Sequence, residues 1–293
     1  MIVTSVNNEY IKGLCKLKDK KYRDSTNLFL IEGEHLVNEA INEELVKELV
    51  ILEGCSFEYA DKYADNITYV NENVMKKLSS MDSYPNIIGV AYKRKEDKIG
   101  SRVLVLEDIQ DPGNLGTIVR SAAAFNIDTI ILSPRTVDLY NLKVIRATQG
   151  MIFHLNIITR ELEPTIKELK TNNYLILGTN VRNGTNIKDI NISGNFALII
   201  GNEGRGMSDT LSKLCDKNVY IKNDISYLFK KDETNNLMVK YIIYKKDNVS
   251  DNDIVGKIEV FINSKMVKTE DIYVRVTKEK ISLFRRILNL FKW

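Results

Sequence analysis

Residues 102–134 read RVLVLEDIQDPGNLGTIVRSAAAFNIDTIILSP. The apolar run VLVL meets a polar loop rich in turn formers, then a stretch with helical spacing, then a second apolar run, TIIL. Continuous apolar runs separated by helical stretches mark strands buried on both faces of a parallel sheet. The pattern persists through KVIRATQGMIF, LNIIT, PTIKELK, YLILGT and FALIIGN, so residues 102–222 are expected to form one parallel-sheet α/β domain. Ligands on such sheets sit beyond the carboxyl ends of the strands. Two polar, glycine-bearing stretches fall there, EDIQDPGNLG after the first run and GNEGRGMSD after the last.

In GNEGRGMSD, Gly201, Gly204 and Gly206 allow a tight turn and close approach to a ligand, and Ser208 or Asp209 can cap the helix TLSKLC that follows. No Lys-Ser or Lys-Thr follows the glycines and the spacing is not G-x-G-x-x-G, which excludes a Walker loop and the dinucleotide fingerprint. A glycine-rich turn that merely exposes Glu203 is equally compatible with these residues. In the first loop, Asp111 to Asn114 are expected to turn, and Gly116 or Thr117 to open a helix whose Ile118, Val119, Ala122 and Ala123 pack inward. Arg120, one turn into that helix, can pair with phosphate or a developing oxyanion, or form a surface ion pair.

Outward from this region, residues 1–95 combine the helical pattern HLVNEAINEELVKEL with the short apolar runs ELVIL and NIIGVAY, a small α/β domain. The polar stretch KRKEDKIGSR reads as a linker. Beyond Lys222 the alternation of strand and helix stops. YLFKKDETNNLMVKYIIYKKD and GKIEVFINSKMVKTEDIYVRV have period two, as in a small antiparallel β unit within residues 223–293. The final EKISLFRRILNLFKW is an amphipathic basic helix, with Ile281, Phe284, Ile287, Leu288 and Phe291 on one face. It can lie on an anionic membrane surface, a weak contact, or pack on its own β unit.

The 293 residues carry a net charge of only +3, but Lys12, Lys16, Lys18, Lys20, Lys21 and Arg23 crowd one stretch that can meet phosphate or form a solvated helix face. Cys15, Cys55 and Cys215 stand apart without a C-x-x-C pair, so neither zinc nor a disulfide framework is expected and the metal assignment is none. With two histidines, His35 and His154, and no G-x-S-x-G, a histidine-rich metal centre and a serine elbow are excluded. His154 is expected at a helix end or sheet edge. The opening MIVTSVNNEY has no signal-like apolar run, so the protein is expected to be cytoplasmic.

NLGTIVR, with Asn114 and Arg120, and IIGNEGRGM, with Glu203, resemble the first two signature motifs of the SpoU-class RNA 2′-O-ribose methyltransferases. The segment LYNLKVIRATQGMIF resembles the one carrying the family's Arg146, and FLIEGEHLVNEAI resembles its N-terminal substrate-binding domain, so the resemblance spans residues 1–222. It implies a domain of the trefoil-knot type, S-adenosylmethionine as methyl donor, an rRNA or tRNA substrate, and a homodimer formed through the knot. It further implies that Asn114, Arg120 and Glu203 are catalytic, that Gly178, Ile200, Gly201, Gly204 and Ile221 hold the cofactor, and that Arg146 belongs to the RNA site, where the charge cluster of Lys16, Lys18, Lys20, Lys21 and Arg23 is expected to add phosphate contacts. Because a guanidinium stays protonated, Arg120 is better suited to stabilising the attacking oxygen than to removing its proton.

One departure accompanies the match. After VYI the family continues with a proline, a glycine-containing loop and Ser-Leu-Asn, whereas this chain has KNDISYLF, so the third motif is absent. VGKIEVFINSKMV and SLFRRILNLFKW resemble instead the C-terminal domain and anchoring helix of D-alanyl-D-alanine carboxypeptidases. No serine is followed by lysine three positions later, which excludes their nucleophile motif. An active methyltransferase and a non-catalytic RNA-binding protein with an incomplete cofactor site are both compatible with these residues.

Overall fold

The computed structural model describes residues 2–180, 184–220, 237–244, 254–262 and 264–273. They belong to two compact units, Met1–Lys222 and Asn223–Trp293.

The first unit opens with β1 (Ile2–Val3), α1 (Glu9–Lys16), α2 (Lys20–Thr26), β2 (Leu28–Glu32), α3 (Glu34–Asn42), β3 (Val46–Leu52), β4 (Ile67–Val70), α4 (Glu72–Leu78) and β5 (Ile87–Tyr92). The strands form a mixed sheet in the order β1-β4-β3-β5-β2, with β5 antiparallel to both its neighbours. Strand alternation divides its side chains between two clusters. Leu30, Val50, Ile88 and Val90 pack with Ile11 and Leu14 of α1 and with Val74, Met75 and Leu78 of α4. Phe29, Ile31, Leu49 and Ile51 point the other way, toward Val37, Ala40 and Ile41 of α3. The helical pattern read through HLVNEAINEELVKEL breaks in the middle: α3 ends at Asn42, Glu44 takes a left-handed φ of 57°, and Val46 starts β3. The pairing of β3 between β4 and β5 overrides the local helical spacing.

The chain continues through β6 (Arg102–Leu106), α5 (Pro112–Ala124), β7 (Thr129–Leu132), α6 (Leu142–Thr148), β8 (Asn156–Thr159), α7 (Leu162–Thr171), β9 (Leu175–Thr179), β10 (Thr185–Asn186), β11 (Phe196–Ile200), α8 (Asp209–Leu214) and β12 (Lys217–Tyr220). These seven strands are all parallel, in the order β10-β12-β9-β11-β6-β7-β8. Val103, Val105, Ile131 and Ile199 pack under α7 and α8, while Leu104, Leu106, Ile130 and Leu132 face α5 and α6. Helix α5 starts at Pro112, earlier than the expected opening at Gly116 or Thr117. Asp111 caps it, its side chain accepting from the Asn114 amide at 2.8 Å, and proline at the first position removes a donor that would have no partner. Gly116 lies inside the helix, where a Cβ would stand 2.2 Å from the Ala147 Cβ, so its lack of a side chain sets the close approach of α5 and α6.

The two sheets share one apolar cluster, in which Phe29, Ile31 and Leu49 join Leu104, Leu106, Ile109 and Phe153. Between them residues 93–101 form no helix or strand, yet their polar groups are held. Arg94 donates to the Phe153 carbonyl, and the Asp97 amide donates to Asn156 Oδ1 at 3.1 Å. Lys93 pairs with Asp24 and lies over the Tyr140 ring. The stretch read as a linker is therefore a seam.

In the second unit, β13 (Leu237–Ile243), β14 (Ile254–Ile262) and β15 (Lys265–Tyr273) make the expected antiparallel sheet in chain order. Ser264, in the tight β14–β15 connection, has a φ of 65°. The expected helix over residues 280–293, and whatever stands in place of the third motif after Tyr220, lie outside the described residues, as does Ile221.

Candidate active site

The carboxyl ends of β6 and β11 lie side by side, Leu106 in register with Ile200, so the two loops quoted above leave the sheet as neighbours. Glu203 fastens them together. Its carboxylate accepts from Asn114 Nδ2 at 3.2 Å and, at 3.4 Å each, from the backbone amides of Gln110 and Asp111. Asn202 Nδ2 adds a further donor at 3.2 Å. Burial pushes the Glu203 carboxyl up, but its own backbone amide, the Asn114 side chain and the Asp111 and Gln110 amides outweigh it and hold the group below the ordinary glutamate value. Asn114 and Glu203, separated by a long stretch of sequence, therefore stand in direct contact.

Arg120 is not brought into that contact. Six residues on from Asn114 at about 100° each, it projects roughly 120° away around the helix. Its side chain is exposed, with no ion pair among the described residues.

The strand ends that are candidates for holding the cofactor also converge. Gly178 of β9 is level with Ile199 of β11 and Asn218 of β12, which puts Thr179, Ile200 and Tyr220 at one rim. The glycines there answer to internal packing. A Cβ on Gly178 would stand 2.5 Å from Cys215 Sγ and 2.6 Å from Met207 Cε, and one on Gly201 would lie 2.1 Å from the Met207 amide nitrogen. Gly201 is needed because the loop folds back on itself in an Asn202–Gly206 bridge, closed by Gly206 at a φ of 71°. Gly204 has open space where a side chain would go, with only Asn202 Oδ1 at 3.7 Å. Beside Gly178, Asn218 Oδ1 is buried with no hydrogen-bond partner among the described residues. A buried acceptor at this rim fits a ligand that carries N–H donors, as S-adenosylmethionine does. Burial pushes the Cys215 thiol up to about 11, so no thiolate competes there at neutral pH.

The basic residues proposed for RNA divide. Lys16, Lys20 and Lys21 are exposed on α1 and α2, although Lys20 pairs with Asp24. Lys18 is also exposed, but its ammonium donates to the carbonyls of Lys77 and Ser79 at the C-terminal end of α4. Arg23 is a correction. It is only 4% exposed, donates to the carbonyls of Leu17 and Lys18 and pairs with Asp138, so it braces the seam and cannot reach a phosphate in solvent. Arg146 reaches across the same seam to the buried Glu32 at 2.6 Å and to Ser80 Oγ at 2.6 Å. His154, at the end of a short 3-10 turn as expected, joins Glu39 and Glu43 of the region around α3.

The sequence reading missed Asp108 and Glu32. Each is an acidic residue at the end of an apolar strand run, a signal for a carboxylate drawn into the interior. Asp108 has a left-handed φ of 55°, accepts from Ser133 Oγ at 2.8 Å and pairs with both Arg135 and Arg205. Burial pushes its carboxyl up, but the bonds from Ser133 and Arg135 and the charges of Arg135 and Arg205 together hold it below the ordinary aspartate value.

Comparison with known proteins shows the family. The family model described as SpoU rRNA Methylase family matches residues 101–227, an MRM3-like substrate binding domain matches residues 8–89, and a Penicillin-binding protein 5, C-terminal domain matches residues 213–280. The 23S rRNA (guanosine(2553)-2′-O)-methyltransferase RlmP of Bacillus subtilis strain 168 is 35% identical over 221 residues, which cover 75% of this chain and 89% of the relative. A putative TrmH family tRNA/rRNA methyltransferase of Staphylococcus aureus strain MSSA476 is 33% identical, over 66% of this chain and 85% of the relative. Among solved structures, an rRNA methyltransferase from Sinorhizobium meliloti superimposes with a TM-score of 0.70 at 27% identity, covering 78% of this chain and 92% of that one. The AdoMet-bound rRNA methyltransferase from the same organism gives 0.67 at 27% identity, over 80% and 92%.

Fold, paired loops and strand-end rim together define an α/β RNA methyltransferase that uses S-adenosylmethionine. The chain belongs to the SpoU rRNA methylase family.

Proposed function

We propose that this protein, as a cytoplasmic homodimer, methylates a guanosine ribose 2′-oxygen of 23S rRNA. The observation that carries the reading is the Asn114–Glu203 contact between two neighbouring strand ends. It joins the two motif loops beside the rim where Gly178, Ile200 and Gly201 belong to the cofactor site, and the choice of RNA follows the 35% identity to RlmP.

Bound S-adenosylmethionine would supply an electrophilic methyl on a sulfonium. The work left to the chain is to place a ribose hydroxyl in line with it and to stabilise the negative charge that grows on the attacking oxygen. Glu203 holds Asn114 in a single orientation and ties the loops, so the amide is positioned before RNA arrives. Arg120, exposed and unpaired among the described residues, supplies the positive charge for the developing oxyanion. The exposed Lys16, Lys20 and Lys21 add phosphate contacts outside the site.

A second reading, an RNA-binding protein without turnover, is favoured by one observation. The sequence KNDISYLF replaces the family ending at residues 222–229, and the penicillin-binding-protein match already covers that stretch. Calorimetric titration of the full chain with S-adenosylmethionine, followed by transfer of labelled methyl to an unmodified 23S rRNA transcript, separates the two. Binding and a single labelled ribose are expected. Salt-dependent RNA binding with no cofactor heat and no transfer would establish the second reading instead.

A further inference from the structure

Beside the Asn114–Glu203 contact stands a feature that neither the motifs nor the catalytic reading uses. Arg135 and Arg205 both place Nη2 on the same oxygen of Asp108, at 2.9 Å and 3.1 Å. The Asp108 side chain is 3% exposed while those of Arg135 and Arg205 are 77% and 73% exposed. Two like charges therefore sit against one buried anion, with most of their N–H donors turned to solvent and no further side-chain bond among the described residues.

Their backbones are fixed as well. Gln110 Nε2 donates to the Arg135 carbonyl at 2.7 Å and to the Asp108 carbonyl at 3.0 Å. Asn202 holds the other side, its Oδ1 accepting from the Arg205 amide at 3.1 Å and its Nδ2 donating to the Asp108 carbonyl at 2.8 Å. The nearby carboxylates are engaged elsewhere: Glu107 accepts from the Ser208 amide, Asp111 caps α5, and Glu203 ties the motif loops. One buried aspartate thus presents a rigid pair of guanidinium heads with one positive charge in excess.

We propose that Arg135 and Arg205 form a fork that grips a phosphodiester of the RNA next to the ribose being methylated, with Asp108 as the residue that positions the fork. The proposal rests on the RNA-methylation reading above. An internal ribose 2′-oxygen neighbours a 3′-phosphodiester, and Arg205, on the loop of Glu203, together with Arg135, on the adjoining loop after β7, makes an anion site beside the Asn114–Glu203 contact where that group must pass. Planar guanidinium groups with several donors match a phosphate better than ammonium groups do. The methionine carboxylate of the cofactor is the competing anion.

The test compares the full chain with Arg135→Ala, Arg205→Ala, the double variant and Asp108→Asn, a change that retains a residue tolerant of left-handed φ. Filter binding to unmodified 23S rRNA transcript across a salt series, cofactor titration and single-turnover methyl transfer are read together, with thermal melting to confirm folding. The double variant is expected to weaken RNA binding about tenfold or more and to reduce the slope of log affinity against log salt by about one. Cofactor affinity should stay unchanged, and transfer should recover at saturating RNA. Asp108→Asn should show a smaller change of the same kind. Unchanged RNA affinity and slope in a double variant that still methylates overturn the fork but leave the methyltransferase reading standing. A loss confined to cofactor affinity assigns the pair to the cofactor carboxylate and overturns the proposal. Wild-type protein that binds no RNA removes both readings.

Discussion

Glu32 and Asp108 are both buried carboxylates bonded to arginine, and they serve opposite ends. Glu32 lies in the seam between the two sheets, where Arg146 covers it and Ser80 donates to both its oxygens. There the pair and its donors close on each other. Asp108 lies beneath the motif loops, and its two arginines remain mostly in water. The same chemistry closes one place and equips another, and the difference lies in how many cations one carboxylate holds and how far they are buried.

The largest effect that separates them is on folding. Arg146→Ala leaves Glu32 charged in the interior, so it should lower stability by about 3 kcal/mol, measured by urea unfolding. Arg135→Ala, whose guanidinium is solvated, should cost less than about 1 kcal/mol in the same experiment. If both variants lose equally, the distinction between seam and mouth collapses. A second effect falls on chemistry. Glu203→Ala releases Asn114 and should slow single-turnover methyl transfer by about a hundredfold while melting hardly shifts, whereas seam variants should lose heat resistance first.

Gly116→Ala sharpens the comparison from the interior. Its added methyl meets Ala147 within α5–α6 packing, so a loss of about 1–3 kcal/mol is expected in urea titration, with RNA affinity of the folded fraction unchanged. The smallest effect is one of pH. Because the folded pKa of Asp108 lies below its unfolded value, the stability it contributes is complete above the ordinary aspartate range and is lost as pH falls through the lowered folded value. Asp108→Asn should therefore flatten the acid limb of a melting-temperature profile, and an unchanged limb would show that other carboxylates govern it.

The parallel sheet was legible because its strands are apolar on both faces and short, and the polar loops of Asn114 and Glu203 because each follows such a strand, although only their resemblance to family motifs singled out the two residues. What escaped was set by partners distant in sequence. Arg23 belongs to a run of cations, and only the fold reveals Asp138 and the Leu17 and Lys18 carbonyls that draw it inside. The strand at Val46–Leu52 follows a helical spacing that sheet pairing overrides. At Gly201 and Gly178 the missing side chains also make room for Met207 and Cys215, a packing demand that only the fold reveals.

The cluster shared by the two sheets bears on how such a chain can be rebuilt. Phe29, Ile31 and Leu49 complete the same interior as Leu104, Leu106 and Phe153, and Arg94, Arg146 and His154 stitch its margin. A gene that kept the motif loops and lost the first 95 residues would leave Leu104, Leu106, Ile109 and Phe153 without the partners Phe29, Ile31 and Leu49. The seam therefore makes residues 1–95 and the parallel sheet one folding unit, and a substitution at Phe29 or Leu49 should be felt in the interior beneath the motif loops.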